Sequence, residues 1–458
     1  MTPRLSRATH GRPAAPVRIV HLGLGNFTRA HQAWYTEHAP DADEWGIAAF
    51  TGRRPTMAEL LAPQDGLYTL LTKGPDGASA EVIGSIAEVH PATDLATLLR
   101  LLAAPEVVVL TTTVTEAGYH LDADGGLDRS GVVGADLEAV RGAGGDIAAL
   151  GGLELQTVPV RVAVGLLARR AAGSGAMTVL PCDNLPDNGP TFRRVVLDAA
   201  RAIDPSLAGW IEEEVSFATC MVDRITPGTS DADREAVRAE GWEDAAPVPT
   251  EPFSEWVIAG EFPAGRPRWE DAGAQFVDDV RPYEQRKLWM LNGAHSLLAY
   301  AGTILGCETV GDAMADSRAR RLVEQWWAEA GPGLEVPWEA YAAALAERFE
   351  NPGIRHLLAQ IAADGSQKLP VRIGPTLRRC RAEGEVPVGA ATAVAAWMLH
   401  LRGHGAPVRD AAEEQVRALV GGTLAEDARR VLGHVAPELA GDDALVAAVV
   451  EAAEALLP

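Results

Sequence analysis

The chain has 458 residues, of which 63 are acidic and 40 are basic, for a net charge of −23. Its length predicts two domains rather than one, and its hydrophobic share of 47% is ordinary for a globular protein. A surface this acidic repels phosphate backbones, which argues against nucleic acid as a partner, although local Lys and Arg residues still allow an anionic small-molecule substrate.

The sequence also argues against insertion into a membrane and against secretion. No apolar run approaches the ~20 residues that cross a bilayer, and the N-terminus has arginines but no apolar signal segment. The four cysteines are far apart and form neither a zinc motif nor a disulfide framework. We therefore expect a cytoplasmic protein with reduced thiols and no metal, as a monomer or a small homo-oligomer.

Strands and helices alternate along the first 281 residues. Short apolar runs predict strands at 17–22, 45–51, 66–71, 106–113 and 176–180. Helices are predicted after the first strand as far as about His38, and then at 55–61 and 159–172, whereas a Gly-rich stretch at 142–152 predicts a loop. This alternation favours an α/β Rossmann-like domain with a doubly wound sheet.

The pattern changes near residue 282. Long stretches rich in Ala, Leu, Glu and Arg, with apolar residues at helical spacing, continue from there to the C-terminus. The sequence therefore predicts two domains: an α/β domain at residues 1–281 and a mostly helical domain at residues 282–458.

A glycine-containing turn follows the first predicted strand. Gly23 and Gly25 are typical of a turn that brings a pyrophosphate to a helix N-terminus. However, Thr28 stands at the third glycine position, and Arg53 and Arg54 stand where an acidic residue is expected after the second strand. Both a dinucleotide site and an ordinary strand-to-helix turn fit these residues. The two arginines fit either contact with a 2′-phosphate or exposure to solvent.

Four polar side chains lie within one arc of about 140° on a predicted α-helix at 281–300. With Lys287 at 0°, Glu284 lies at about 60°, His295 at about 80° and Asn292 at about 140°. Burial lowers the pKa of an amine toward neutrality, which suits a general base for alcohol oxidation. The other interpretation is that Lys287 pairs with Glu284 on a solvated face and that His295 is structural.

Seven blocks of sequence, in order, resemble the long-chain mannitol dehydrogenase family of polyol-specific dehydrogenases. They are GLGNFTRAHQAWY at 23–35, QDGLYTL at 64–70, TVTEAGY at 113–119, CDNLPDNG at 182–189, MVDRITP at 221–227, Lys287-x4-Asn292-x2-His295, and DGSQKLPVR at 364–372. The resemblance covers nearly the whole chain. It implies an NAD-dependent enzyme, with NADP as the alternative, whose active site lies between a nucleotide-binding domain and a helical domain.

The resemblance implies a role for each catalytic residue. Lys287 is similar to the general base of the family, and Asn184 and Asn292 to the amides that hold the reacting oxygen. Amide donors aimed at a developing alkoxide stabilise the transition state. His295 corresponds to a group that orients the substrate, and Glu284 to a carboxylate that relays the proton from the base toward water.

The resemblance also implies the residues that bind the two reactants. Those matched to substrate binding are Asp223, Glu116, Lys368 and Arg372. Those matched to cofactor binding are Gly23, Gly25, Asn26, Phe27 and Thr113. Arg53 is added to them because of its place after the second predicted strand.

The substrate is expected to be a linear sugar acid or a polyol. Mannitol-specific members have an arginine eight residues before the lysine of the DGS block, whereas this chain has Gln360 there. The block resembles fructuronate reductases instead, in which Lys368 or Arg372 would meet a carboxylate. D-mannonate and D-fructuronate are therefore the favoured pair, with mannitol and fructose, or another polyol such as arabinitol, as alternatives.

Two rival functions are a nucleotide-binding protein without turnover and a methyltransferase with a Gly-rich turn. A binding protein without turnover has no need for a base together with amide groups that donate hydrogen bonds to a reacting oxygen. The second does not need the residues at 282–300.

Overall fold

The computed structural model describes residues 2–457 as two compact units, one ending at Arg281 and the other beginning at Pro282. The strands lie in the first unit. They are β1 Val17–Leu24, β2 Gly46–Thr51, β3 Tyr68–Gly74, β4 Gly77–Ile83, β5 Ile86–His90, β6 Val109–Thr112, β7 Met177–Pro181, β8 Val215–Phe217, β9 Thr219–Asp223, β10 Val248–Thr250, β11 Glu255–Ala259 and β12 Gln275–Phe276.

The helices of the first unit alternate with these strands. They are α1 Arg7–His10, α2 Asn26–Ala30, α3 Gln32–His38, α4 Thr56–Leu61, α5 Leu95–Ala103, α6 Gly131–Gly142, α7 Ile147–Gly151, α8 Val158–Ala172, α9 Asn188–Ile203, α10 Pro205–Glu214 and α11 Asp231–Ala239. The next helix, α12 Arg281–Arg286, begins at the last residue of this unit, and its other residues belong to the second unit. Short 3-10 helices occupy Ala42–Glu44, Ala62–Gln64, Glu116–Tyr119 and Trp269–Ala272.

Six strands form one parallel sheet in the order β5-β2-β1-β6-β7-β8. The chain runs from β1 outward through β2 to β5 and then crosses to the other side of β1 at β6. This order is that of a doubly wound sheet, and its switch point lies between β1 and β6. The predicted Rossmann-like fold is confirmed.

Both faces of the sheet are buried, which explains its continuous apolar strands. In β2, Ala48 and Phe50 belong to a core with α5, α8 and α9, whereas Ile47 and Ala49 belong to a second core with α3. An amphipathic strand would leave one of these faces in water. The β-branched and apolar runs in the sequence were therefore correct signals for this sheet.

One prediction within the first unit is wrong. The stretch at 142–152 was predicted to be a loop, but α7 occupies Ile147–Gly151, with the Asp146 side chain accepting from the Ala148 amide at its start. The strand predicted at 66–71 is present as β3, which lies in a separate three-stranded sheet and pairs antiparallel with β4 and parallel with β10. The sequence showed where apolar segments lie but not which strands they pair with.

The second unit is helical over its described residues. Its elements are a π-helix at Lys287–Gly293, α13 Ala294–Ile304, α14 Val310–Ala315, α15 Ser317–Ala330, α16 Glu339–Glu350, α17 Leu358–Ile361, α18 Gly365–Arg372, α19 Gly374–Ala382, α20 Val388–Leu401, α21 Glu413–Arg417, α22 Leu424–Val435 and α23 Asp443–Leu456, with 3-10 helices at Gly331–Gly333 and Pro437–Leu439.

Helix α20 forms the centre of this unit, because every residue from Gly389 to Leu401 is buried. It packs against α13, α15, α22 and α23. With 14 residues it is shorter than the ~20 that cross a bilayer. Between residues 2 and 457, no helix is both long and apolar enough to span a membrane.

The segment at 281–300 is not the uniform α-helix that the angular analysis assumed. Residues Lys287–Gly293 form a π-helix, with α12 before it and α13 after it. Hydrogen bonds in a π-helix close from residue i to residue i+5, so its turn is wider than that of an α-helix. The predicted angles are therefore wrong beyond Lys287, although the predicted helical segment is present.

Candidate active site

The glycine turn lies at the carboxyl end of β1. Gly23 has φ +110°, and a Cβ there would lie 2.3 Å from the carbonyl oxygen of Thr113 at the end of β6. A side chain at this position would therefore separate the two strand ends. A Cβ at Gly25 would meet only the Gly23 carbonyl oxygen, at 3.7 Å, so space remains beside the turn.

A chain of hydrogen bonds supports this turn. His21 contacts Thr111 Oγ1 through Nδ1 and Thr28 Oγ1 through Nε2, each at 2.8 Å. Thr28 Oγ1 lies 2.7 Å from Thr113 Oγ1, which donates to the Gly23 carbonyl at 2.7 Å. Each hydroxyl has one proton, so Thr113 accepts from Thr28 and Thr28 accepts from His21. This order of protons requires the neutral Nε2–H tautomer of His21.

The surroundings of His21 keep it neutral. Burial lowers the pKa of its imidazole to about 3, so it does not take up a second proton at neutral pH. Thr28 is the residue that occupies the expected third glycine position. Its hydroxyl links the start of the helix to the neighbouring strand, which a glycine could not do.

Arg29 holds the other side of the turn. Its guanidinium donates to the Gly25 carbonyl at 3.1 Å, to Asn26 Oδ1 at 2.7 Å and to the Ala246 carbonyl. Burial lowers its pKa to about 10, so it remains charged at neutral pH. Asn26 also donates to the Pro227 carbonyl at 3.1 Å. The side chain of Asn26 is therefore engaged with protein groups, while its backbone begins α2.

A cavity of about 470 Å³ opens at the carboxyl ends of β1, β6 and β7. Four predicted site residues line it together: Phe27, Thr113, Glu116 and Asn184. A cavity of this size suits a small-molecule ligand. Its place beside the switch point of the sheet is where doubly wound folds bind their ligands.

Asp183 is a titratable group in the same cavity that the sequence analysis did not identify. Tyr119 donates to its Oδ2 at 2.6 Å, and the Leu185 amide donates to its Oδ1 at 3.0 Å. Burial and the neighbouring Glu116 raise the pKa of Asp183 to about 6, although the two hydrogen bonds oppose this. Its position between Cys182 and Asn184 was the available signal.

Two further predicted residues of the first unit lie apart from the cavity lining. Asp223 is the last residue of β9 and is buried, next to Val222, which does line the cavity. Arg53 follows β2 and is exposed, as is Arg54. The three residues that follow β2 in the sequence, Gly52, Arg53 and Arg54, include no acid, whereas an acidic residue there usually binds a ribose hydroxyl.

In the second unit, Lys287 and Asn292 lie on the π-helix and His295 on the first turn of α13, with Glu284 on α12. The His295 ring is buried and stacks on Phe349, with centroids 4.8 Å apart, while His356 approaches it edge-on at 5.1 Å. The predicted catalytic set of this unit is thus carried by one continuous helical segment.

Lys368 and Arg372 lie one turn apart on α18. Lys368 Nζ donates to the carbonyls of Ile361 and Ala363, at 3.2 and 2.5 Å, and burial together with the nearby Arg372 lowers its pKa. Arg372 donates instead to the Asn292 carbonyl at 3.2 Å. The structure therefore connects Arg372, but not Lys368, to the π-helix.

No group of three His, Cys, Asp or Glu side chains within residues 2–457 is arranged to hold a metal ion. The four cysteines are free thiols.

Comparisons with known proteins agree with this architecture. The mannitol dehydrogenase Rossmann domain matches residues 17–271, and the mannitol dehydrogenase C-terminal domain matches residues 279–457. The D-mannonate oxidoreductase of Escherichia coli is 40% identical over 406 residues, which cover 84% of this chain and 80% of that protein. The D-arabinitol 4-dehydrogenase of Ralstonia nicotianae is also 40% identical over 406 residues, covering 85% and 84%.

A solved structure shows the same likeness. The Pseudomonas fluorescens mannitol 2-dehydrogenase, in a ternary complex with NAD and D-mannitol, superposes with a TM-score of 0.76 at 34% identity, and covers 99% of this chain and 94% of that one. The two family domains together account for most of the chain. This protein therefore belongs to the mannitol dehydrogenase family, whose members are oxidoreductases that act on the CH–OH groups of polyols and sugar acids.

Proposed function

We propose that this chain interconverts a linear sugar acid and its keto form with NAD as the cofactor, and that D-mannonate and D-fructuronate are the preferred pair. The observation that carries the proposal is the cavity at the carboxyl ends of β1, β6 and β7, in a chain of this family. A polyol such as mannitol or arabinitol is the alternative substrate.

The first unit fits a dinucleotide. The turn at Gly23 and Gly25 leaves space beside the start of α2, where a Cβ at Gly25 would project, and backbone N–H groups at a helix start favour a pyrophosphate. Phe27 and Thr113 line the adjoining cavity. When bound, NAD supplies the hydride acceptor for oxidation and, once reduced, the hydride donor for the reverse reaction.

Lys287 is the proposed general base. In oxidation its neutral amine takes the proton of the reacting hydroxyl, and in reduction the protonated amine returns it. Asn292 and Asn184 donate their amide N–H groups to the same oxygen as negative charge develops there. Such donors are typically worth about 3 kcal/mol each. Glu284 passes the proton from Lys287 toward water.

His295 and Asp223 are proposed to orient the substrate hydroxyls. The His295 ring has a fixed plane, because Phe349 stacks on it at 4.8 Å. The buried position of Asp223 at the end of β9 favours a carboxylate that accepts from hydroxyl groups. Glu116, which lines the cavity, adds a second acceptor.

Two cations on α18 favour a sugar acid over a neutral polyol. Burial and the charge of Arg372 lower the pKa of Lys368, and the two cations repel each other. A bound carboxylate relieves that repulsion and accepts hydrogen bonds from both groups. The mannonate and arabinitol enzymes are equally identical to this chain, so identity does not choose between their substrates. The two cations favour mannonate.

A substrate panel tests the proposal. Purified protein is mixed with mannonate, fructuronate, mannitol, fructose, sorbitol and arabinitol, each with NAD(H) and NADP(H), while the absorbance of the reduced nicotinamide is followed. We expect the highest kcat/KM for mannonate and fructuronate with NAD(H). A flat trace in every combination would support a binding protein without turnover. A preference for NADP would assign Arg53 or Arg54 to the 2′-phosphate.

A single variant separates the two substrate classes. Lys368→Met removes a charge-assisted hydrogen bond, which corresponds to a loss of about 10- to 100-fold in kcat/KM for the sugar acid. The same variant keeps the rate with a neutral polyol within a few-fold. Equal losses of kcat/KM for both substrates would show that Lys368 does not bind a substrate carboxylate, and a polyol would then be the proposed substrate.

A further inference from the structure

Two tryptophans of α15 donate hydrogen bonds into the π-helix Lys287–Gly293. The indole Nε1 of Trp326 donates to the carbonyl of Trp289 at 3.0 Å, and that of Trp327 donates to the carbonyl of Met290 at 2.9 Å. Both indoles are buried. Adjacent residues of one helix thus bind adjacent carbonyls of another, in the middle of the wide turn.

Arg372 provides a third donor from α18. Its Nη1 bonds to the Asn292 carbonyl at 3.2 Å and to Ser296 Oγ at 3.0 Å. Side chains that insert into the carbonyl ladder of a helix are a recognised cause of departures from α-helical geometry. Here three such donors meet the seven residues of the π-helix.

Gly293 allows the closest of these contacts. A Cβ at Gly293 would lie 2.7 to 2.9 Å from three atoms of the Trp326 indole. Ring atoms of a fully buried tryptophan cannot move aside at low cost. The absence of a side chain at Gly293 therefore lets the Trp326 indole pack directly against the backbone at the end of the π-helix.

We propose that Trp326 and Trp327 are positioning residues that hold the π-helix and thereby the relative placement of Lys287 and Asn292. In an α-helix, residues five apart point about 140° away from each other. The i to i+5 closure of a π-helix brings them to the same side of neighbouring turns. This inference rests on the proposed function, in which the two residues act on one substrate oxygen.

Trp327 reaches the substrate-orienting group as well. Its ring lies 6.0 Å from that of Phe349, which stacks on His295. The same tryptophan therefore supports both the π-helix and the ring behind His295. A change at Trp327 is expected to alter catalysis more than a change at Trp326.

The test uses the full-length Trp326→Phe and Trp327→Phe variants, which keep an aromatic ring and lose the N–H donor. Trp269→Phe is the matched control, because the buried Trp269 indole donates to Thr36 Oγ1 at 3.0 Å, in the first unit. Each protein is measured for thermal unfolding, for kcat and KM, for the pH dependence of kcat, and for amide hydrogen exchange of residues 288–294.

We expect the two α15 variants to exchange these amides more than tenfold faster, and to lose about tenfold or more in kcat with a shifted pH profile and little change in KM. The control loses thermal stability alone. Unchanged exchange and an unchanged pH profile in both α15 variants would overturn the proposal. Faster exchange in a protein inactive toward the whole substrate panel would uphold the role of the tryptophans and overturn only the proposed function.

Gly293→Ala provides a second test, because the expected change in stability is opposite to the change that helix propensity alone would give. Alanine favours a helix over glycine at an ordinary helical position, whereas here its methyl group displaces the Trp326 indole. The variant should unfold at a lower temperature and reproduce the faster exchange of residues 288–294. A more stable protein with unchanged exchange would show that the indole does not hold this segment.

Discussion

The two units hold unusual stretches of backbone by different means. At the Gly23 turn, neutral groups that both donate and accept hydrogen bonds connect Thr111 to the Gly23 carbonyl. At the π-helix, groups that only donate, two indoles and a guanidinium, bind backbone carbonyls directly. The first arrangement depends on which group donates in each hydrogen bond. The second depends on how the donor side chains pack against the helix.

This difference determines what the sequence can reveal. Two strand ends approach closely at the Gly23 turn, so a glycine is required there and the motif is visible. The π-helix contains ordinary helix-forming residues, and its donors lie 37 to 80 residues further along the chain. An irregular turn at a sheet edge thus has a local signature, whereas an irregular helix does not.

The largest expected effect is a loss of kcat without a loss of NAD affinity, which would separate the proposed chemistry of the second unit from the proposed cofactor binding of the first. Lys287→Ala removes the proposed base, so kcat should fall by about 10²- to 10⁴-fold. The affinity for NAD, measured by titration calorimetry, should stay within a few-fold, because the glycine turn is unaltered. Near-normal turnover in this variant would mean that another group takes the proton.

Gly23→Ala produces the reverse pattern. Its methyl group would meet the Thr113 carbonyl oxygen at 2.3 Å, and a positive φ adds strain of about 1–3 kcal/mol. We expect NAD affinity to fall by about 100-fold, with a lower melting temperature. Gly52→Ala is the control, because a Cβ there has no neighbour within 4 Å. Equal NAD affinity in the two variants would contradict a role of the turn in cofactor binding.

Acidification should weaken both units, since each contains a buried neutral histidine. Burial lowers the pKa of His21 to about 3 and that of His400 to about 4. Unfolded histidine, with an ordinary pKa near 6.5, binds a proton before the folded form does, so stability falls as the pH drops below 6.5. Each residue should contribute a loss of about 2 kcal/mol by pH 5. The measurement is the free energy of unfolding at pH 7 and pH 5.

Single histidine variants show how much of the decrease in the free energy of unfolding each histidine causes. His21→Gln and His400→Gln should each remove roughly half of the decrease between pH 7 and pH 5 that the two residues cause together. If the decrease is the same in both variants as in the parent protein, other groups cause the acid sensitivity.

The smallest effect concerns the proton chain itself. Thr28→Val breaks the link between His21 and Thr113, which should cost about 1–2 kcal/mol of stability and raise the KM for NAD several-fold with kcat unchanged. Thr112→Val is a matched control on β6, because the buried Thr112 hydroxyl has no hydrogen-bond partner among residues 2–457. That variant should be neutral or slightly more stable. Equal destabilisation by both changes would show that the chain adds nothing specific.

The sequence alone predicted the fold class and the family, and the sheet order and the two family domains confirm both. Phe27, Thr113, Glu116 and Asn184 do line one cavity, because residues that follow parallel strands meet at one edge of the sheet. It missed His21, whose importance depends on three threonine hydroxyls from other segments. It also missed Trp326 and Trp327, whose spacing in α15 looks like that of ordinary core residues.

The amino-acid sequence by itself determined the alternation of buried strands and helices, the glycine turn after β1 and the residues available for chemistry, because each has a short-range signature in residue type and spacing. Only the tertiary structure decided the π-helix, the tautomer of His21 and the raised pKa of Asp183. These properties depend on burial and on donors from distant segments, and such contacts leave no local pattern in the chain.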